Sequence, residues 1–540
     1  MKCLATLVAD LRSSPLGTRS RLADSLGGIP LLRRTVGRVL QSRRIMGVCL
    51  IAPADQHAAL RDLLAGLDVS FFNQAAPPPY AALVRAGRIW GLDGWRGGIG
   101  SLCCFDEDLD IAAAAQAARH HSAALVASIP AAAPLFDATI LDAMIEHFAA
   151  EAQAMRFTFA CAPPGLTGLI IAREMLEELA PTGQPLGAAL TYQPDRPFAD
   201  LTAKEACWRA PVELVESRGR LLADTHRSRQ RIEALVNVGA ADWPARRIGA
   251  WLSEQAALRF EDVPEEIEIE LTTEIRDGKA TLLRPRPPEF APRGPISQDA
   301  IRRVLHSIGD FDDVRIVLGG FGDPCLHPEF PMICRILREG GAAAIAVRTT
   351  ARELTPAAEE AIFAAPVDVV EVMLDAATPQ TYSRIHGIDA FDAVVARVDA
   401  WMARRERERR VLPLIVPSFV KSTENLDDME AFFDHWQRRL GCALITGYSS
   451  CAGQRPERTV THTAPSPRRP CRRTRSRAMI LADGRMTTCD QDFAGRQSLG
   501  SVVETSFAEL WRNSAVLNAA RSNSVAELPL CPACTDWHRP

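Results

Sequence analysis

The sequence predicts an α/β chain of several domains, and three observations carry that expectation. Apolar segments of strand length alternate with amphipathic helical ones over the first two hundred residues. The alternation returns, more regularly, between Glu265 and Tyr448 as six β-α repeats. The last seventy residues depart from it and hold four cysteines around a hairpin signal. At 540 residues the chain is too long for one ordinary core, and length alone suggests roughly three or four domains. The expected divisions are a parallel-sheet domain over 1–200, a helical linker over 201–263, a partial six-repeat barrel over 264–450 and a small α+β domain over 466–540.

Composition sets outer limits. With 47% apolar and 24% charged residues the chain reads as globular. A net charge of −4 gives no overall electrostatic case for nucleic acid. No run approaches the ~20 apolar residues of a membrane span. The start has one basic residue, Lys2, and a short apolar run ended by Asp10, which reads as a first strand rather than a signal peptide. The fourteen cysteines are mostly isolated in apolar segments, as at Cys49, Cys161 and Cys334. Reduced thiols of this kind suit a cytoplasmic protein.

In the first region, residues 3–9 form a candidate strand and 12–28 a basic, glycine-bearing loop. Residues 29–40 have helical periodicity with Pro30 near the start. Strands are expected at 47–52, 123–129 and 156–160, and a helix at 54–65. A basic loop after the first strand of a mainly parallel sheet is a common phosphate-binding place. Leu26-Gly27-Gly28-Ile29-Pro30-Leu31-Leu32 resembles the GGKPLL segment of the sugar-activating nucleotidyltransferases, in their cytidylyltransferase-like branch. Ala133-Pro134-Leu135 resembles their D-x-PL segment. The resemblance implies a GT-A/Rossmann-like sheet and a nucleotide or nucleotide-sugar ligand. Two positions depart from it: Arg21 stands where that family has its phosphate-contacting lysine, and Ala132 where it has a metal-binding aspartate. Without that carboxylate a bridging divalent ion loses a main ligand, so a binding or structural domain on this fold is expected. Residues 90–100 set Trp90 and Trp95 among glycines, a pattern of aromatic packing under a long loop, with Trp95 and Arg96 as binding candidates.

In the middle region strands are expected at 266–272, 313–318, 343–348, 367–374, 412–420 and 443–448. Helices are expected at 297–308, 330–339, 355–364, 391–404 and 425–439, with 405–410 a solvated, charge-laced end. Ile267, Ile269 and Leu271 share one face of the first strand. This is the pattern of a partial (β/α)6 TIM-type barrel, with chemistry at the C-terminal ends of its strands. The loops there resemble those of the radical S-adenosylmethionine (radical SAM) enzymes. Gly319-Gly320-Phe321-Gly322-Asp323-Pro324-Cys325-Leu326-His327-Pro328-Glu329-Phe330 resembles their GGxGEPLLHPxF loop. Residues 372–382 resemble SLDAxTPETY, and 347–351 resemble xTNG with Asn and Gly replaced. The resemblance implies S-adenosylmethionine contacts at Gly319, Gly320, Gly322, Asp323 and Asp375. It also places a C-x-x-x-C-x-x-C cluster motif after the first strand, where this chain has Ile275, Lys279 and Leu282. No cysteine lies between Cys207 and Cys325. Reductive cleavage of S-adenosylmethionine is therefore not expected, while the glycine loop leaves its binding open.

In the last region Cys471, Cys489 and the pair Cys531 and Cys534 flank a hairpin centred on Asp483-Gly484. Four thiolates make a metal site. The segment resembles the SPASM/twitch module, which implies one 4Fe-4S cluster on those four cysteines. Structural zinc is the alternative, although zinc ribbons generally present two C-x-x-C knuckles. Six arginines between 468 and 477 surround Cys471, a pattern that suits offsetting the charge of a cluster, an anionic partner such as a phosphorylated sugar or nucleic acid, or a solvated loop. The whole order of domains resembles the spiro-SPASM group. Two functions follow: an iron-sulfur protein that binds a ligand, transfers electrons to a redox partner or supports a partner enzyme; or an enzyme of nucleotide-sugar or surface-glycan modification.

Overall fold

The computed structural model describes residues 1–151, 155–192, 194–195, 206–256, 262–276, 280–287, 290–352, 354–364, 367–465 and 467–539. The chain divides into two compact units, Met1–Arg259 and Phe260–Pro540.

The first unit is built on a seven-stranded sheet. Val69–Asn73, Ile45–Ala52, Cys3–Val8 and Leu125–Ser128 run parallel, side by side. Leu169–Ala172 then pairs antiparallel with Leu125–Ser128 and with Phe157–Ala160, which carries the short edge strand Cys207–Trp208. Successive side chains point to opposite faces. Cys3, Ala5 and Leu7 thus enter one core with Leu32 and Val36 of helix Leu31–Val39 and Met144 of helix Ala138–Ala150. Leu4 enters the other core with Ala114 of helix Ile111–His120 and Leu176 of helix Arg173–Leu179. Burial on both faces is why these strands read as unbroken apolar runs. The sheet is mainly parallel, as expected; its antiparallel member Leu169–Ala172 is not among the expected strands, although Pro163-Pro164-Gly165 ahead of it is a turn signal. Residues 206–256 of the stretch expected as a linker also belong to this unit. Helices His226–Asn237 and Ala245–Ala256 contribute Ile232, Leu235, Ile248 and Leu252 to the first of its two cores.

The second unit holds a nine-stranded sheet. Glu266–Glu270, Arg315–Gly319, Ala344–Thr349, Val369–Met373, Leu414–Lys421 and Leu444–Gly447 are parallel neighbours in chain order. Helices Gln298–Ile308, Phe330–Glu339, Pro356–Ala364, Phe391–Arg407 and Met429–Leu440 fall between them in the chain. This is the expected six-repeat architecture. Helix Pro379–His386 is additional to it, opened by Thr378, whose side chain accepts from the Thr381 N–H, and closed by Gly387 at φ +69°.

The last region extends the same sheet. Arg477–Ile480 pairs parallel with Glu266–Glu270, on the side away from Arg315–Gly319. Arg485–Thr487 and Ser498–Ser501 follow antiparallel. Asp483-Gly484 makes the turn as expected, with Gly484 at φ +83° and its N–H bonded to the Leu481 carbonyl at 2.9 Å. Among the described residues no helix is long and apolar enough to cross a membrane.

Candidate functional site: the barrel mouth and the four-cysteine region

The first barrel strand has the sequence Glu-Ile-Glu-Ile-Glu. Its isoleucines face the apolar core, so period-2 geometry turns Glu268 and Glu270 to the other face, where both are nevertheless buried. Glu268 accepts from Arg348 Nη1 at 3.0 Å and from the Gly320 N–H at 2.8 Å, and Arg348 Nε also reaches Glu371 at 3.0 Å. Glu270, fully buried, accepts from Arg293 at 2.7 and 3.1 Å, from the Phe321 N–H at 3.0 Å and from the Ala482 N–H at 3.1 Å. Arg293 Nη2 continues to the Phe493 carbonyl at 2.9 Å. The charges that the strand carries inward are thereby paired, as burial requires.

The glycine loop packs on this strand. At Gly320, φ is +83° and a Cβ would sit 2.5 Å from the Glu270 side chain. At Gly322 a Cβ would sit 2.3 Å from the Thr272 carbonyl oxygen. The close approach that the sequence reading ascribed to a ligand is thus already imposed by the chain itself. Gly319 lies at the end of its strand, beside Glu268. Asp323 is committed as well. One of its oxygens accepts from Thr349 Oγ1 at 2.8 Å and from the N–H and Oγ1 of Thr350 at 3.0 Å, and the other from the Cys325 N–H at 3.1 Å.

Asp375 sits at φ +56°, a backbone region uncommon outside glycine. Its Oδ1 accepts from the Val420 N–H at 2.7 Å, and Asn425 Nδ2 binds its carbonyl at 2.8 Å. Burial pushes the Asp375 carboxyl up to about 7. Beside it His386 donates from Nε2 to the Leu374 carbonyl at 3.0 Å and stacks on Tyr382 with ring centroids 4.2 Å apart. Burial pushes His386 down to about 4, so the ring is neutral with its proton on Nε2. Asp323, Asp375 and His386 line one cavity of about 460 Å³ with Ile275, Arg284 and Arg352. Of the three positions aligned with the cluster motif, Ile275 lines this cavity, Leu282 packs by Tyr448 and Ile385, and Lys279 lies outside the described residues. The donor set present does not fit an iron-sulfur cluster, since neither isoleucine nor leucine offers a ligand atom.

The four cysteines of the last region lie on separate short elements. Cys471 precedes the helical turn Arg473–Ser476, Cys489 follows strand Arg485–Thr487, and Cys531 and Cys534 bracket a single 3-10 turn. Cys489, Cys531 and Cys534 each lie within electrostatic range of Cys471. Two sulfurs accept hydrogen bonds: Cys531 from Gln497 Nε2 at 3.3 Å, and Cys534 from the Asp536 N–H at 3.4 Å. Gln497 is fixed in turn by Asp492, which accepts its N–H at 2.7 Å. Burial pushes the Cys489 thiol well up, with Asp490 and Cys471 adding to it, and pushes Cys534 up to about 11. Such thiols hold their protons until a cation displaces them. Four thiols with N–H donors on two of them fit an iron-sulfur cluster chemically. Among the described residues no three His, Cys, Asp or Glu side chains converge as ligands of a single ion. The nearby arginines are largely tied down: Arg473 chelates Asp490 at 2.5 and 2.6 Å, Arg477 meets Glu266 at 3.4 Å, and Arg468 donates to the Cys534 carbonyl at 3.2 Å.

In the first unit the basic loop is likewise committed. Arg21 donates to the Asp224 carbonyl at 2.7 Å, and Arg19 chelates Asp24 at 2.7 and 3.1 Å. Ala132 offers only its carbonyl, which accepts the Ala223 N–H at 2.8 Å. Trp95 packs on Phe159 with ring centroids 4.9 Å apart, as the aromatic-packing reading expects, and with Arg96 lines a cavity of about 440 Å³. Sequence reasoning missed Glu268, Glu270, Arg284, Arg352 and His386. The alternating charges of the first strand were a usable signal for the two glutamates.

Comparison with known proteins places residues 471–535 in the SPASM family, described as an iron-sulfur cluster-binding domain. An uncharacterized protein of Treponema pallidum (strain Nichols) is 24% identical over 244 residues, 44% of this chain and 68% of that one. Among solved structures, SuiB of Streptococcus suis bound to its precursor peptide SuiA is similar at 10% identity and a TM-score of 0.38, over 55% of this chain and 80% of that one. A cytidylyltransferase of Leptospira borgpetersenii is similar at 15% identity and a TM-score of 0.31, over 47% of this chain and 93% of that one.

Proposed function

We propose that this chain is an iron-sulfur protein of the radical SAM superfamily. It carries one 4Fe-4S cluster on Cys471, Cys489, Cys531 and Cys534, and it does not cleave S-adenosylmethionine at its barrel. The observation that carries the reading is the contrast in donor atoms. Four thiols stand in the segment that matches the iron-sulfur family, two of them accepting N–H hydrogen bonds. Ile275 and Leu282 stand at the barrel positions aligned with cluster ligands. A bound cluster of this kind stores and passes one electron, and an all-cysteine ligand set leaves no iron open to substrate. Gln497 and the Asp536 amide would orient and stabilise the thiolates, and Arg473 would offset their charge. The role that follows is electron transfer or support of a partner enzyme in the cytoplasm. The first unit serves it as a ligand-binding or structural domain.

The test is iron and sulfide analysis of anaerobically purified protein. About four irons per chain are expected, with near-complete loss in Cys489→Ala. Zinc in place of iron, or twice the iron, would sink the reading, as would 5′-deoxyadenosine formed from S-adenosylmethionine under a strong reductant.

A further inference from the structure

The cavity at the barrel mouth holds two guanidinium groups that no ion pair among the described residues binds. Arg352 is 5% exposed and lines the cavity, yet its Nε and Nη1 have no hydrogen-bond partner and no described carboxylate pairs with it. Arg284 lines the same cavity. Half-buried, it donates to the Gly320 carbonyl and to the Met373 sulfur, at 3.2 Å for the latter, and makes no ion pair among the described residues, with Glu268 and Asp375 only within longer electrostatic range. An uncompensated buried guanidinium is costly, and chains keep one where a ligand supplies the opposite charge. The two carboxylates of the cavity do not supply it: both oxygens of Asp323 are taken up by Thr349, Thr350 and Cys325, and Asp375 is driven toward its neutral form by burial. Burial first, and then the charges of Arg455 and Arg348, hold Arg284 down to about 10, a crowding that an anion would relieve. Ile275, Phe321 and Met373 add an apolar wall.

We propose that this cavity is an oxyanion-binding site in which Arg352 and Arg284 hold the phosphate or carboxylate group of a small organic ligand. Guanidinium groups suit either anion through paired N–H donors. The proposal stands whether or not the four cysteines bear a cluster.

Calorimetry on the full chain at constant ionic strength, with inorganic phosphate and with citrate as probes, tests it. One site per chain is expected for at least one probe, weakened at least tenfold in Arg352→Met. Tighter phosphate assigns a phosphorylated ligand and tighter citrate a carboxylate one. Without anion, Arg352→Met should melt at the same temperature as the wild type or higher, because it removes an unpaired charge. A lower melting temperature would mark Arg352 as structural and overturn the proposal. So would the absence of heat with both probes, or equal affinity in wild type and variant. Should Arg352→Met not fold, Arg284→Gln decides by the same loss of affinity.

Discussion

At the barrel mouth the backbone holds the shape of a ligand-binding loop while its side chains are turned on one another. Gly320 and Phe321 give their N–H groups to Glu268 and Glu270, and Asp323 is filled by Thr349, Thr350 and Cys325. In the four-cysteine region the backbone is irregular, and the sulfurs keep acceptor capacity for a cation. The carboxylates differ in the same sense. Burial drives Asp375 up to about 7, whereas at Asp490 burial is outweighed by Arg473 and Arg477, which hold it at about 2. A resemblance carried by glycines and loop lengths reports on backbone shape. One carried by ligand atoms reports on chemistry, and here the two are separated within a single compact unit.

The largest effect should come from Glu270, whose carboxylate bonds the glycine loop, Arg293 and the hairpin. Glu270→Ala leaves Arg293 buried without a counter-charge and should cost about 3–5 kcal/mol in urea unfolding. Retained iron should fall in parallel. An unchanged midpoint would show the two regions to be energetically separate.

A second effect is set by pH. Asp375 titrates at about 7 when folded and at 3.8 on its ordinary value, so between those limits the folded state binds more protons than the unfolded one. Its contribution to stability is complete at low pH and is lost as pH rises through about 7. Asp375→Asn keeps the acceptor for Val420 and removes the titration. Its stability relative to wild type should therefore rise by about 2–4 kcal/mol from pH 4 to pH 8. His386 titrates in both proteins and cancels to first order. A flat difference across that range would refute the buried, raised carboxyl.

The smallest effect tests whether backbone shape persists where its residue does not. Ala351 stands at the glycine position of the xTNG-like segment and still adopts φ +53°. Ala351→Gly relieves the left-handed alanine but loses a buried methyl, so stability should stay within about 0.5 kcal/mol of wild type. A loss above about 1 kcal/mol would mean that the conformation carries no strain.

Much of this was legible in the sequence because it is local. Barrel strands and helices follow from periodicity, and the turn at Gly484 follows from Asp483-Gly484. Helix Pro379–His386 carried its own signals, a Thr378 cap, Pro379 at the first position and Gly387 beyond the end, but its residues lie partly within a segment that also matches a family loop. The assignment of glycines to a ligand failed to anticipate Glu270 and Thr272 as the neighbours that exclude a side chain. Arg284 and Arg352 were not legible because nothing local distinguishes a buried arginine from the many solvated ones. Only the fold shows which guanidinium groups share a cavity.

The parallel pairing of Glu266–Glu270 with Arg477–Ile480 also constrains how this chain is made. Glu270 and Ala482, joined by a hydrogen bond, are 212 positions apart. During synthesis the first strand of the barrel therefore presents an open hydrogen-bonding edge until the partner strand, 212 positions on at that hydrogen bond, has emerged. Open edges invite pairing with other chains, and closing so long a loop is slow. The glutamates that alternate along this strand put charge on that waiting edge, which discourages a wrong partner until the right one arrives.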